Sequence, residues 1–285
     1  MNHTQDDQKD IYDDVSDMFA AVENMVANSD RTYRNIGSTG LAGSSRLIKS
    51  NKKILNNMIR AFVDAPFQYQ EAILSLRTNI KFLSANKDYK KIVVTSAIPG
   101  EGKSSVAINV SLALSAARNK VMLIDADLRR PSIHRYLNLE NGARFGLTNI
   151  LQNDKLSNKA CLHSKIDRKG LDAIPSGIVP PNPTELLGSM RMKSLMDELA
   201  NMYDYVIIDT APVSVVTDAA VLSQFADGVI MVVKQKSVTF EQARQAKRNL
   251  NAINANILGV VLNNFNHKHV DKSGGYYSYY RYSQR

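Results

Sequence analysis

The sequence predicts an α/β protein, a mostly parallel sheet with helices on both faces. Three observations predict it: unbroken apolar strands, amphipathic helices between them, and a glycine-bearing turn that joins the first strand to the next helix. The opening helix is marked by Ala72, Ile73, Leu76, Ile80 and Leu83, spaced so that apolar side chains share one face. Strand 91–95 follows, and its β-branched run suits burial on both sides. After the turn at 97–104, Val106, Val110, Leu112 and Leu114 mark a helix, and the apolar strand 121–124 ends at Asp125. Residues 138–175 read as irregular with short elements. A helix over 183–201, strand 205–208, helix 218–225, strand 228–233, helix 239–253 and strand 257–262 complete one domain at 66–265.

The flanks differ in character. Residues 1–30 carry eight acids against the single base Lys9, and Ile11, Val15, Met18, Phe19, Val22, Met25 and Val26 form the stripe of an acidic amphipathic helix. Such a helix suits docking on a partner or strapping down its own domain. Residues 31–65 read as a polar linker, and 266–285 as a flexible tyrosine-rich tail.

Composition excludes several classes of function. With 285 residues and 44% hydrophobic content the chain has ample material for a core, so disorder and fibres are excluded for its bulk. The lone Cys161 cannot form an internal disulfide or a multi-cysteine metal site. No apolar run approaches the ~20 residues needed to span a bilayer, and no secretory signal opens the chain, so a cytoplasmic location is expected. The net charge of +9 suits an anionic substrate or a lipid surface; no recognition motif for sequence-specific nucleic acid accompanies it.

In parallel sheets ligands bind beyond the carboxyl ends of the strands, so the residues there carry the chemistry. The turn Pro99-Gly100-Glu101-Gly102-Lys103-Ser104-Ser105 has the form of a Walker A phosphate loop, the signature of a P-loop NTPase. Its glycines let backbone N–H groups face phosphates, Lys103 offers a charge to the β/γ oxygens, and the Ser104 hydroxyl can ligate Mg²⁺. Alternation sends Asp125 and Asp127 to the same side after the second strand. Asp209 ends strand 205–208 before Thr210-Ala211-Pro212, a Walker B pattern whose carboxylate holds Mg²⁺ directly or through water. ATP and Mg²⁺ are the cofactors this set calls for.

The loop, the Asp125-Ala126-Asp127-Leu128-Arg129 segment, the Asp209-Thr210-Ala211-Pro212 segment, the run 180–187 (Pro-Pro-Asn-Pro-Thr-Glu-Leu-Leu) and the tyrosine-rich end together resemble the bacterial tyrosine kinases, autokinases of capsule and exopolysaccharide synthesis. The resemblance covers residues 66–285. It implies catalytic roles for Lys103, Asp125, Asp127 and Asp209, metal ligation by Ser104, Asp127 and Asp209, and Asp125 near the incoming tyrosine. Arg129 and Arg130 are candidates for a stabilising or structural part. The acceptors would be Tyr276, Tyr277, Tyr279, Tyr280 and Tyr282, five of the chain's twelve tyrosines within seven residues.

The resemblance further implies a homo-oligomer, a cognate tyrosine phosphatase, and a transmembrane activator of the chain-length-determinant type that recruits the chain to the inner face of the membrane. The family's first helix commonly carries a Glu and two Arg that tie subunits into a ring; here the series is Glu71, Leu74, Arg77, and Leu74 replaces the middle Arg. Two rivals stand beside the kinase. A partitioning or positioning ATPase of the deviant Walker type shares the loop and acids but places a signature Lys where Ile98 stands. A nucleotide-binding scaffold without kinase activity would have no need of all four of Lys103, Asp125, Asp127 and Asp209.

Overall fold

The computed structural model describes residues 67–137, 139, 142–152, 163–164 and 170–265. Helix α1 (Phe67–Asn86) leads to β1 (Lys91–Ser96), then α2 (Lys103–Ala116) and β2 (Val121–Asp125). Short helices α3 (Ile133–Tyr136) and α4 (Leu147–Gln152) precede β3 (His163–Ser164) and β4 (Leu171–Ile174). Next come α5 (Pro183–Leu187), α6 (Met190–Met202), β5 (Tyr205–Asp209) and α7 (Asp218–Ser223). The described part ends with β6 (Gly228–Lys234), α8 (Phe240–Asn251) and β7 (Ile257–Asn263).

The sheet runs β3-β4-β2-β5-β1-β6-β7. Six strands are parallel, and only the two-residue edge strand β3 runs antiparallel, against β4. Because side chains alternate, each strand feeds two cores. Val206, Ile208, Met231 and Val233 pack with Met192, Leu195 and Leu199 of α6, Leu222 of α7 and Ala243, Ala246 and Leu250 of α8. On the other face Ile92, Val94, Leu123, Ile207 and Val232 meet Ile80 of α1 and Val106, Val110 and Leu114 of α2. Strand residues from Ile92 to Val94 and from Val206 to Ile208 are buried almost completely, each such side chain contributing roughly 1.5–3 kcal/mol. The charged strand ends are thereby held on a rigid base.

Two expectations need correction. The helix expected over 183–201 is broken into α5 and α6, because Gly188 closes the first helix and the Ser189 hydroxyl caps the second by accepting the Met192 N–H at 3.2 Å. Within the stretch read as irregular lies β4, a full member of the sheet paired in register with β2 from Val121↔Leu171 to Ile124↔Ile174. The segments at 1–30 and 31–65, Cys161 and the tail tyrosines lie outside the described residues.

Candidate active site

Sheet order decides what converges. β1 sits between β5 and β6, and β2 lies beyond β5, so the loop after β1 is flanked by the ends of β2 and β5 on one side and of β6 and β7 on the other. Residue register brings Val94 beside Asp209 and Asp209 beside Asp125.

The loop makes its turn at Gly100 (φ 85°) and Gly102 (φ 89°), conformations other residues adopt only under strain, and α2 starts at once with Lys103. The Glu101 side chain turns into the protein. Its carboxylate is fully buried and accepts the Ile98 N–H at 2.8 Å and the Lys234 N–H at 3.0 Å, fastening the loop to the end of β6. Burial raises its pKa, and those N–H donors pull the other way. The Glu101 carbonyl accepts Nδ2 of Asn263, and a Cβ on Gly102 would lie 2.1 Å from that same nitrogen. Gly100 has open space at the corresponding point. Gly100→Ala is therefore expected to cost only backbone strain, on the order of 1–2 kcal/mol. Gly102→Ala carries the same strain and in addition pushes the Asn263 amide off the Glu101 carbonyl, so it should lower nucleotide affinity more than Gly100→Ala, a difference that parallel calorimetric titrations with Mg·ADP would measure.

Lys103 Nζ lies 3.0 Å from Asp127 Oδ2, with both side chains largely buried. Burial alone would lower the lysine pKa; the charges of Asp209, Asp127 and Asp125 outweigh it, so the value rises and the ammonium stays charged. Asp127 also accepts the Arg130 N–H at 2.9 Å. Asp125 accepts the N–H groups of Ser132 at 3.0 Å and Ile133 at 2.9 Å through Oδ2 alone. Its Oδ1 and both oxygens of Asp209 are buried with no hydrogen-bond partner. Desolvation, with the neighbouring carboxylates adding to it, pushes Asp125 up to about 8 and Asp209 to about 6, the Lys103 charge restraining the latter.

Three buried acceptor oxygens without donors are what a cation would satisfy. Among the described residues no three acidic, imidazole or thiol groups form a self-sufficient metal site. Mg²⁺ in nucleotide sites is held by one or two carboxylates together with the phosphates. Two of the three unpartnered oxygens belong to Asp209, one of the residues expected to hold Mg²⁺ together with Ser104 and Asp127, and the third belongs to Asp125.

Above this floor opens a cavity of about 630 Å³, enough for a nucleotide. Its wall includes the loop from Pro99 to Ser105 apart from Glu101, Asp127, Arg129 and Arg130 on the β2 side, Pro212 and Val215 after β5, and Lys234, Asn263 and Asn264 at the ends of β6 and β7. Asp125 and Asp209 are fully buried and do not line it, whereas Asp127 does.

Arg129 is held from the side by residues the sequence did not single out as a group. Its Nε donates to Asp218 Oδ2 at 2.8 Å and its Nη2 to Thr184 Oγ1 at 2.9 Å, while the Thr184 hydroxyl donates to Asp218 Oδ1 at 2.6 Å. Asp218 is completely buried at the start of α7. Thr184 belongs to the proline-rich run already noted, which thus braces the segment after β2. Asn263 and Lys234 were also missed, although both end strands and the strand-end rule would have found them.

Against known proteins, the family profile described as "ParA: NUBPL iron-transfer P-loop NTPase" matches residues 88–283. The tyrosine-protein kinase YwqD of Bacillus subtilis (strain 168) is 42% identical over 193 residues, covering 68% of this chain and 80% of that protein. The tyrosine-protein kinase CpsD of Streptococcus agalactiae serotype III (strain NEM316) is 34% identical over 197 residues, covering 69% and 83%. The solved kinase domain of the Escherichia coli tyrosine kinase ETK superposes with a TM-score of 0.66 at 31% identity, over 72% of this chain and 78% of that one. With the phosphate loop, the paired strand-end acids and relatives of this identity over most of its length, the chain belongs to the bacterial tyrosine-protein kinases, within the P-loop NTPases.

Proposed function

We propose that this kinase transfers the γ-phosphoryl group of Mg·ATP to tyrosines of its own tail, Tyr276, Tyr277, Tyr279, Tyr280 and Tyr282, and thereby regulates capsular or exopolysaccharide polymerisation and export. The observation that carries the reading is a charged lysine on a phosphate loop, with Asp127 beside it on the cavity wall and the charges of buried Asp125 and Asp209 acting on it, in a chain that carries five clustered tyrosines. Lys103 releases Asp127 to take the β/γ oxygens, and the loop N–H groups cradle the phosphates. Ser104, Asp127 and Asp209 would hold Mg²⁺, which would supply positive charge against the phosphates. The phenolic oxygen forms a bond to phosphorus as the bond to the β-phosphate oxygen breaks, ADP leaves, and the phenol proton passes to a carboxylate. A free phenol has a pKa near 10, so a carboxylate that orients the hydroxyl and takes its proton matters at neutral pH. Asp125, the carboxylate not assigned to the metal, would take the proton, with Asp127 between it and the cavity.

Membrane attachment is part of the same proposal. Among the described residues no helix is long and apolar enough to cross a bilayer, and a transmembrane activator would supply recruitment, with the acidic segment at 1–30 as one contact. A homo-oligomer would present one subunit's tail to another, and a tyrosine phosphatase would reset it. Each phosphate adds nearly two negative charges to the tail, so repeated transfer would turn attraction between subunits into repulsion.

Mass spectrometry of the C-terminal peptide after incubation with Mg·ATP, with and without an activator's cytoplasmic tail, tests the proposal. Phosphotyrosine within 276–282 is expected. ATP turnover with an unmodified tail in both conditions would favour a partitioning-type ATPase instead.

A further inference from the structure

Two side chains tie the phosphate loop to the β6–β7 side of the cavity, and phosphoryl transfer as described uses neither. Asn263, the last residue of β7, donates from Nδ2 to the Glu101 carbonyl at 2.8 Å, and its Oδ1 accepts the Asn264 N–H at 2.9 Å. Glu101 joins the loop's own Ile98 to Lys234 at the end of β6. An acid inside an anion-binding loop would repel phosphates if it faced them. This one is tolerated because its carboxylate points into the protein and is met there by N–H donors.

The acids lie at the ends of β2 and β5, on the opposite side of β1, so a nucleotide with its terminal phosphate there extends its remaining part toward Lys234, Asn263 and Asn264. A loop with two positive-φ glycines has much conformational freedom to lose, and bonds that hold it in shape before the ligand arrives lower the cost of binding.

We propose that Glu101 and Asn263 are positioning residues that hold the phosphate loop in its anion-binding shape, so that the grip on the β-phosphate depends on the ends of β6 and β7. The inference rests on the nucleotide reading of the cavity. It predicts where the loss falls when the tie is cut. Asn263→Ala removes the donor to the Glu101 carbonyl. Glu101→Gln is nearly isosteric, but its amide nitrogen must confront one of the two N–H groups that the carboxylate accepts.

Calorimetric titration of the full chain with Mg·ADP, Mg·pyrophosphate and AMP separates the outcomes. Both variants are expected to bind Mg·ADP and Mg·pyrophosphate at least tenfold more weakly, and Glu101→Gln, whose side chain does not line the cavity, to bind AMP within twofold of the parent, since AMP lacks the phosphate the loop encloses. Equal losses for ADP and AMP with pyrophosphate unchanged would overturn the proposal and make Asn263 a direct contact to the nucleoside. Unchanged affinity for all three would reduce the tie to a structural bond. Failure of the parent itself to bind ADP or pyrophosphate would instead sink the nucleotide reading. Should Glu101→Gln not fold, Asn263→Ala carries the test alone; unfolding of Asn263→Ala as well counts against the proposal, because a positioning role leaves the rest of the sheet intact.

Discussion

Replacing Lys103 with Met is expected to lower tail phosphorylation by a factor of about 100 to 1,000, the usual cost of removing one preorganised charge from a transition state. The same change should alter stability in a pH-dependent way. Lys103 is the cation whose pKa is held up by Asp209, Asp127 and Asp125 together, so its loss leaves those carboxylates facing one another with little to offset them. Their answer is to take up protons, which is easy at pH 6 and hard at pH 8. The drop in melting temperature of nucleotide-free Lys103→Met relative to the parent should therefore be larger at pH 8 than at pH 6. An equal drop at both pH values would mean that the lysine acts by packing rather than by balancing charge.

Much of this site was legible because its residues are local. The loop from Pro99 to Ser105 and the acids at 125, 127 and 209 sit at strand ends, and a parallel sheet assembles strand ends by rule. Which acids meet which groups was not legible. Asp125 and Asp127 are two residues apart and share a side of the chain, yet one is taken up by the N–H groups of Ser132 and Ile133 and the other by Lys103. That division depends on the turn into α3, which no periodicity announces.

The short strand Leu171–Ile174 was missed for a similar reason. Four residues with one acid give too little pattern, and β4 is recognisable only by its pairing with β2. The split between α5 and α6 could have been read from Gly188-Ser189, a helix stop followed by a cap. Asp218, Thr184 and Asn263 act across 89, 55 and 162 residues of sequence from their partners Arg129 and Glu101, a separation that only the folded chain closes.

Asp209→Asn is expected to lower phosphorylation steeply, as Lys103→Met does, but to move stability the opposite way. In the nucleotide-free chain Asp125 and Asp209 have folded pKa values of about 8 and about 6, against roughly 3.9 when unfolded. Between about pH 4 and pH 8 the folded state thus binds more protons than the unfolded one. Stability falls as pH rises through that window, by an amount on the order of a few kcal/mol. The amide introduced by Asp209→Asn carries no charge, so the variant loses one unpaired buried carboxylate and keeps its shape. That unsatisfied amide costs about 1–3 kcal/mol, less than an ionised carboxylate in the same place. Melting curves from pH 5 to pH 9 without nucleotide should slope downward for the parent and be flatter for the variant, with the variant at least as stable at pH 8. Saturating Mg·ADP should then stabilise the parent more than the variant, because the buried carboxylate removed is the one proposed to hold the cation. A parent whose stability climbs with pH, or a variant much weaker at pH 8, would show that these carboxylates are already neutralised by something other than protons, and the site would not be strained in the way that makes cation binding favourable.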